Sequence, residues 1–270
     1  PYMNSIWLRT ECALNFDVAI YTPFVFMLRP RSGAEQWVAQ ERYAITPSVS
    51  VVEFTDAYGN LCQRLIAPPG SFAVSTSAEV MASAHIDTAA GAPFVPVQNL
   101  PEATLAYLLP SRYCEADRLA DLAREITAWA APGYDQVAAI NTWIQGAVHY
   151  APGSSQIPTS AVEVWQRGFG VCRDLAHLAI ALCRSLVVPA RLVVGYLKDL
   201  EPMDLHAWFE AYVGDRWYTF DPTQAGPRGG RVAIAYGRDA ADVAVYSQYG
   251  PALLPSSMRV SVQLLSKPSN

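Results

Sequence analysis

The sequence lacks closely spaced cysteine pairs, runs of basic residues and any long apolar stretch. Its five cysteines, Cys12, Cys62, Cys114, Cys172 and Cys183, include no C-x-x-C pair. That scatter argues against a disulfide framework, and against a structural zinc site, which needs paired ligands at short spacing. Free thiols and a reducing compartment, the cytoplasm, are therefore expected, with no metal and no cofactor. Lys and Arg total 19 against 24 Asp and Glu, a net charge of −5. Phosphate backbones are bound by clustered cations, so nucleic acid is not an expected partner. No stretch reaches the ~18 uninterrupted apolar residues of a membrane span, and nothing after Pro1 has the form of a signal peptide, so no membrane partner is expected either. Charged residues make up 16% and hydrophobic ones 51% of 270 residues, enough apolar material for a substantial core.

What is present divides into two regions. Cys12, Leu14, Phe16, Val18 and Ile20 alternate with smaller or more polar neighbours, as do Phe72, Val74, Thr76, Ala78 and Val80. Alternation with period 2 marks half-buried strands. Val49 to Phe54 and Leu61 to Ile66 read as two further strands around a turn at residues 56–60, and Pro68-Pro69-Gly70 punctuates the run. Residues 1–100 are thus expected to form a β-rich domain, a small sandwich or open sheet. Gly91 to Pro101, with three prolines, reads as the linker.

Residues 101–270 change character. Leu119, Leu122, Ala123 and Ile126 recur at helical spacing until Pro132-Gly133, and a second helix is expected over about 135–149. Ser160 and Glu163 form a capping-box pattern that opens a third. From Cys172, the residues Leu175, Leu178, Ala179, Leu182, Cys183 and Leu186 mark a largely buried helix ending before Pro189. Strands are expected at 190–197, 205–212 and 216–220, with the runs Val232 to Tyr236 and Met258 to Leu265 completing the sheet. Helices followed by an antiparallel sheet give an α+β domain.

Cys172 falls where that buried helix starts. A thiol there faces unpaired N–H groups and the positive end of the helix dipole, which favour a thiolate. Gly168 and Gly170 before it would let backbone approach a substrate closely. His206 lies in the strand Asp204-Leu205-His206-Ala207-Trp208-Phe209-Glu210, and Asp221 ends the next one, Trp217-Tyr218-Thr219-Phe220-Asp221. If Gly214-Asp215 is a two-residue hairpin loop, Asp221 stands opposite Trp208 and diagonal to His206; a Val213-Gly214 loop would set it opposite His206 itself. Either register puts both side chains on one face. The carboxylate can then orient the imidazole and stabilise it once it has taken a proton from the thiol.

The string Gly170-Val171-Cys172-Arg173-Asp174-Leu175-Ala176-His177-Leu178 resembles the nucleophile motif of the bacterial transglutaminase-like proteins. His206-Ala207-Trp208-x-Glu210 and Asp221-Pro222-Thr223 are similar to that family's histidine and aspartate motifs, in the same order and at similar spacing. Leu175 stands where Phe is more usual. The resemblance implies a papain-like core, Cys172 as nucleophile, His206 as general base and acid, and Asp221 as its orienter. It also implies acyl transfer from a peptide or other amide substrate, by hydrolysis or to an amine. Two alternatives stay open: a binding or scaffolding module of the same fold with an inert site, and acyl transfer from a thioester donor.

The other candidates are expected to be structural. His177, about 140° round the helix from Cys172, faces away from it. Arg173 and Asp174 pair with neighbours or shape the rim, and Trp208 either shields the His–Asp pair or packs in the core. The Cys172 N–H is one candidate oxyanion donor. The second is left open among side chains near Tyr150 to Gln156. His85 and His149 receive no role.

Overall fold

A computed structural model describes residues 5–267. Six strands come first: β1 (Ser5–Val18), β2 (Thr22–Phe26), β3 (Gln36–Thr46), β4 (Val51–Thr55), β5 (Leu61–Ala67) and β6 (Gly70–Ser83). The alternating residues of β1 and β6 are buried, and these strands pair antiparallel along their whole length, Leu14 opposite Val74 and Phe16 opposite Phe72. Phe16 and Phe72 meet Phe24 of the facing sheet at ring-centre distances of 5.1 and 6.1 Å. Two sheets thus pack face to face around an aromatic centre.

Residues 97–118 pass through three 3₁₀ turns into the helical region. There follow α1 (Ala120–Thr127), α2 (Tyr134–Ala147), β7 (His149–Tyr150), α3 (Ala161–Arg167), β8 (Phe169–Gly170) and α4 (Cys172–Ser185). Ser160 caps α3 as its sequence predicts, accepting from the Glu163 N–H while the Glu163 carboxylate accepts from the Ser160 N–H. From Asp174 to Arg184 every residue of α4 is buried. It packs on β9 (Ala190–Leu197) and β10 (His206–Val213), which with β11 (Arg216–Phe220) and β12 (Arg231–Gly237) form an antiparallel sheet ordered β11-β10-β9-β12. The β10–β11 turn is Gly214-Asp215, both residues at positive φ (56° and 65°), the backbone that a tight hairpin requires.

The chain then returns to its beginning. β13 (Tyr246–Gln248) pairs with β2, and β14 (Ser257–Leu265) pairs with β1 from Leu14↔Met258 to Trp7↔Leu265. The expectation that Met258 to Leu265 completes the second sheet is therefore corrected. A free edge of β1 was available to it, whereas the free edge of β12 is taken by side chains. Gln36 accepts from the Ala233 N–H (2.8 Å) and donates to the Ala233 carbonyl (2.9 Å). Asn60 makes the same two bonds with Tyr236, each 2.8 Å. Two amide side chains thus imitate a strand, satisfy the edge and tie the sandwich to the second sheet. One continuous core cluster joins both regions, from Phe16 and Phe24 to Ile140, Leu178 and Phe209.

Candidate active site

Cys172 is the first residue of α4, so its N–H has no intrahelical acceptor. The turn in front of it is fixed by Asp174, which is fully buried. Its carboxylate accepts from the N–H of Val171 (3.3 Å) and of Thr159 (3.1 Å), and from Arg173 Nε (3.1 Å). Gly170 is needed here for space. A Cβ would lie 2.9 Å from the Asp174 Cβ, so its smallness serves the packing of this turn. Gly168 ends α3 in the left-handed region at φ 72°.

His206 opens β10 and is 1% exposed. The hairpin register pairs Phe209 with Phe220, the alternative in which Asp221 comes level with Trp208. His206 Nε2 donates to Asp221 Oδ2 at 2.7 Å. Nδ1 is buried with no hydrogen-bond partner, so it is the ring nitrogen left for the thiol of Cys172, a half-buried residue. Burial opposes the imidazolium, yet the Asp221 carboxylate and the Cys172 thiol outweigh it, and the His206 pKa rises from 6.5 to about 9.

Asp221 is held from three sides. The Thr223 N–H (3.0 Å) and hydroxyl (2.7 Å) donate to Oδ1, while Arg231 Nη1 lies 2.9 Å from Oδ2. The Arg231 contact falls outside hydrogen-bond angles and acts as a buried charge pair. Burial alone would raise the Asp221 carboxyl, but His206, then Arg231 and Thr223, hold it well below the usual carboxylate range. Arg231 itself rests on Trp208, its guanidinium carbon 5.0 Å from the ring centre, and Trp208 packs 6.2 Å from His206. Trp208 is 2% exposed and packs with Val193 and Ala233, the core-packing role that was one of its two expected ones. Behind Trp208 and Arg231 a cleft of about 700 Å³ opens between the second sheet and the sandwich. It touches none of Cys172, His206 and Asp221.

The structure thus gathers Cys172, His206 and Asp221 at one place. Arg231 and Thr223 were missed in the sequence. Thr223 belongs to the quoted Asp-Pro-Thr string and, as an Asp-x-Thr, could have been read as a carboxylate-anchoring turn. No sequence signal marks Arg231, since β12 sits two strands away from β10. Tyr150 lies beside this turn through β7, which pairs Tyr150 with Gly170. Burial first, with Cys172, Asp221 and Asp204 nearby, pushes its hydroxyl far above the ordinary range, so it stays a donor.

His177 is structural, as expected. Its Nδ1 donates to the Thr159 carbonyl (2.9 Å), Nε2 accepts from the Ala240 N–H (3.2 Å), and the ring stacks on Tyr113. Burial lowers its pKa, and two such bonds require the neutral ring. The other four cysteines are buried, with thiols raised mainly by burial, Cys62 to about 11 and Cys12 to about 12.

Residues 120–222, which contain all three residues, match the transglutaminase-like superfamily. The chain is similar to a solved structure from Cytophaga hutchinsonii described as a candidate cysteine protease. The two are 37% identical with a TM-score of 0.91, over 99% of this chain and 93% of that one. An uncharacterised Mycobacterium leprae protein is 28% identical over 242 residues, covering 83% of this chain and 86% of its own. A Mycobacterium tuberculosis protein is 34% identical over 109 residues, 35% of each chain. The chain belongs to the transglutaminase-like superfamily. Its α+β architecture, rich in strands, is that of this fold, and among the described residues no helix is long and apolar enough to cross a membrane.

Proposed function

We propose that the protein is a thiol enzyme that cleaves or transfers the acyl group of a peptide or other amide bond through a Cys172 acyl intermediate. The observation that carries this is the division of labour on His206: Nε2 is held by Asp221, and Nδ1 is free beside the start of the helix that bears the thiol. In this reading His206 takes the proton of Cys172, and the sulfur adds to the amide carbonyl carbon. The negative charge on the carbonyl oxygen is met by the Cys172 N–H and by the Tyr150 hydroxyl, which fills the second donor position. His206 then hands its proton to the leaving amine, the C–N bond breaks and the thioester remains. Water or an amine, deprotonated by His206, adds to the thioester and releases the thiol. Asp221 orients the ring and compensates its charge throughout. A reducing compartment, the cytoplasm, suits the five free thiols.

The test is turnover of a peptide and isopeptide library by wild type and Cys172→Ala, with and without a primary amine acceptor. The proposal expects turnover by wild type only, and the acceptor separates hydrolysis from transfer. Equal turnover by Cys172→Ala would remove Cys172 from the chemistry.

A further inference from the structure

The face of the second sheet that carries His206 continues beyond the triad. Along β10, Ala207, Phe209 and Ala211 turn into the core, while Trp208, Glu210 and Tyr212 alternate with them, in step with His206. These three line the cleft of about 700 Å³ between the second sheet and the sandwich. Along β11 they are joined by Trp217 and Thr219, which alternate in step with Asp221. A cleft of this size, walled by aromatic rings and lying at a seam between packed layers, has the form of a small-molecule site.

Most charges in its wall already have partners. Arg191 donates to Glu210 (2.7 Å) and is stacked between Trp217 and Tyr236, 4.1 and 4.3 Å from their ring centres. At the mouth, Arg216 pairs with Asp87 (2.9 Å) and lies 3.8 Å from Glu35; these three, with Asp215 and His85, are exposed, where water screens them. What the wall leaves unmet are hydrogen-bond donors. Both terminal nitrogens of Arg231 and Nε1 of Trp208 are buried and have no hydrogen-bond acceptor among the described residues. Arg231 Nε alone is satisfied, by the Arg228 carbonyl (2.9 Å). The Arg231 side chain is 8% exposed and rests on the Trp208 ring, so the orphaned donors belong to two touching side chains in one wall of the cleft. Buried donors without acceptors are costly, and oxygen acceptors are what would relieve them.

We propose that this cleft binds a small monocarboxylate with a flat apolar body. Its carboxylate meets Arg231 and Trp208, and its body lies between the aromatic rings of the sheet and Met81 and Ile86 on the sandwich side. Two carboxylate oxygens match the fork of a guanidinium, whose other neighbour here is Asp221. A phosphate dianion would meet repulsion from Glu210 and from Asp221 behind Arg231. A cation would find Glu210 already held by Arg191. The proposal does not depend on the acyl chemistry proposed above, since the ligand meets none of Cys172, His206 and Asp221.

The test is titration of the wild-type protein with benzoate, phenylacetate and indole-3-acetate, followed in ¹H–¹⁵N spectra. Acetate, phosphate and phenethylamine serve as contrasts. The Trp208 indole N–H signal, identified by its loss in Trp208→Phe, should move with at least one aromatic acid, which binds tenfold or more tightly than any of the contrasts. Calorimetry with that acid should then show at least fivefold weaker binding to Trp208→Phe, which keeps an aromatic ring and removes the donor. Arg231→Lys, which keeps the charge and removes the fork, should weaken it as much; if that variant does not fold, Trp208→Phe decides. A Trp208 signal unmoved by every aromatic acid up to about 10 mM would overturn the proposal. So would equal binding of phenethylamine or phosphate, or undiminished binding to Trp208→Phe.

Discussion

Replacing Asp221 by Asn separates the electrostatics of the site from its shape. His206 is raised to about 9 from an ordinary 6.5 although burial pulls the other way. The rise is worth about 3 kcal/mol of differential stabilisation of the imidazolium. The sign follows from a raised folded-state pKa: this stability is fully present below about pH 6.5 and is lost as pH rises through about 9. Asparagine keeps the size of the carboxylate and removes its charge. Burial then acts almost unopposed, and the Arg231 cation, 2.9 Å from Asp221, is left without its partner. Measured without the Cys172 thiol, whose contribution is then absent from both proteins, the His206 pKa should fall by about one pH unit or more. The assay is NMR titration of the ring Cε1–H signals, comparing Cys172→Ala with Cys172→Ala/Asp221→Asn so that thiol ionisation stays out of both curves. A His206 midpoint that moves by less than about half a pH unit, or upward, would refute the reasoning.

Other consequences concern the frame around the site. Asn60→Ala removes both bonds to the edge of β12 at a position only 1% exposed, and should cost about 1–3 kcal/mol in urea denaturation. A cost near zero would mean that the edge finds other partners. Truncation before Ser256 strips β14 from β1 and should lower the melting temperature of the whole chain, because the core is continuous. An unchanged melting temperature would show β14 to be dispensable. His177→Ala loses two hydrogen bonds and the Tyr113 stack, and should destabilise by about 2–4 kcal/mol while leaving the alkylation rate of Cys172 within about twofold. A large fall in that rate with little destabilisation would move His177 into the chemistry.

Legibility in the sequence followed the range of the forces involved. Strand parity across a two-residue turn is local, so the placing of His206 and Asp221 on one face needed only the Gly214-Asp215 signal. The start of α4 at Cys172 was likewise local, written in the apolar spacing that follows it. β2 and β3 escaped because their patterns are broken: β2 has five residues including Pro23, and β3 carries an irregularity between Val38 and Gln40 with alternate residues exposed. β14 was readable as a strand but not in its partner. Pairing depends on which edge is free, and that is decided by Gln36 and Asn60, far away in the chain. Arg231 reaches Asp221 across two intervening strands, and nothing near it in sequence foretells that contact.

The most direct test of the account is competitive alkylation with substoichiometric iodoacetamide at neutral pH, read by peptide mass spectrometry across all five cysteines. The account predicts that Cys172 is modified first and by a wide margin, since the other four thiols are buried and raised, and that His206→Ala slows its labelling at least tenfold. Labelling that spares Cys172, or that proceeds at the same rate without His206, would contradict it.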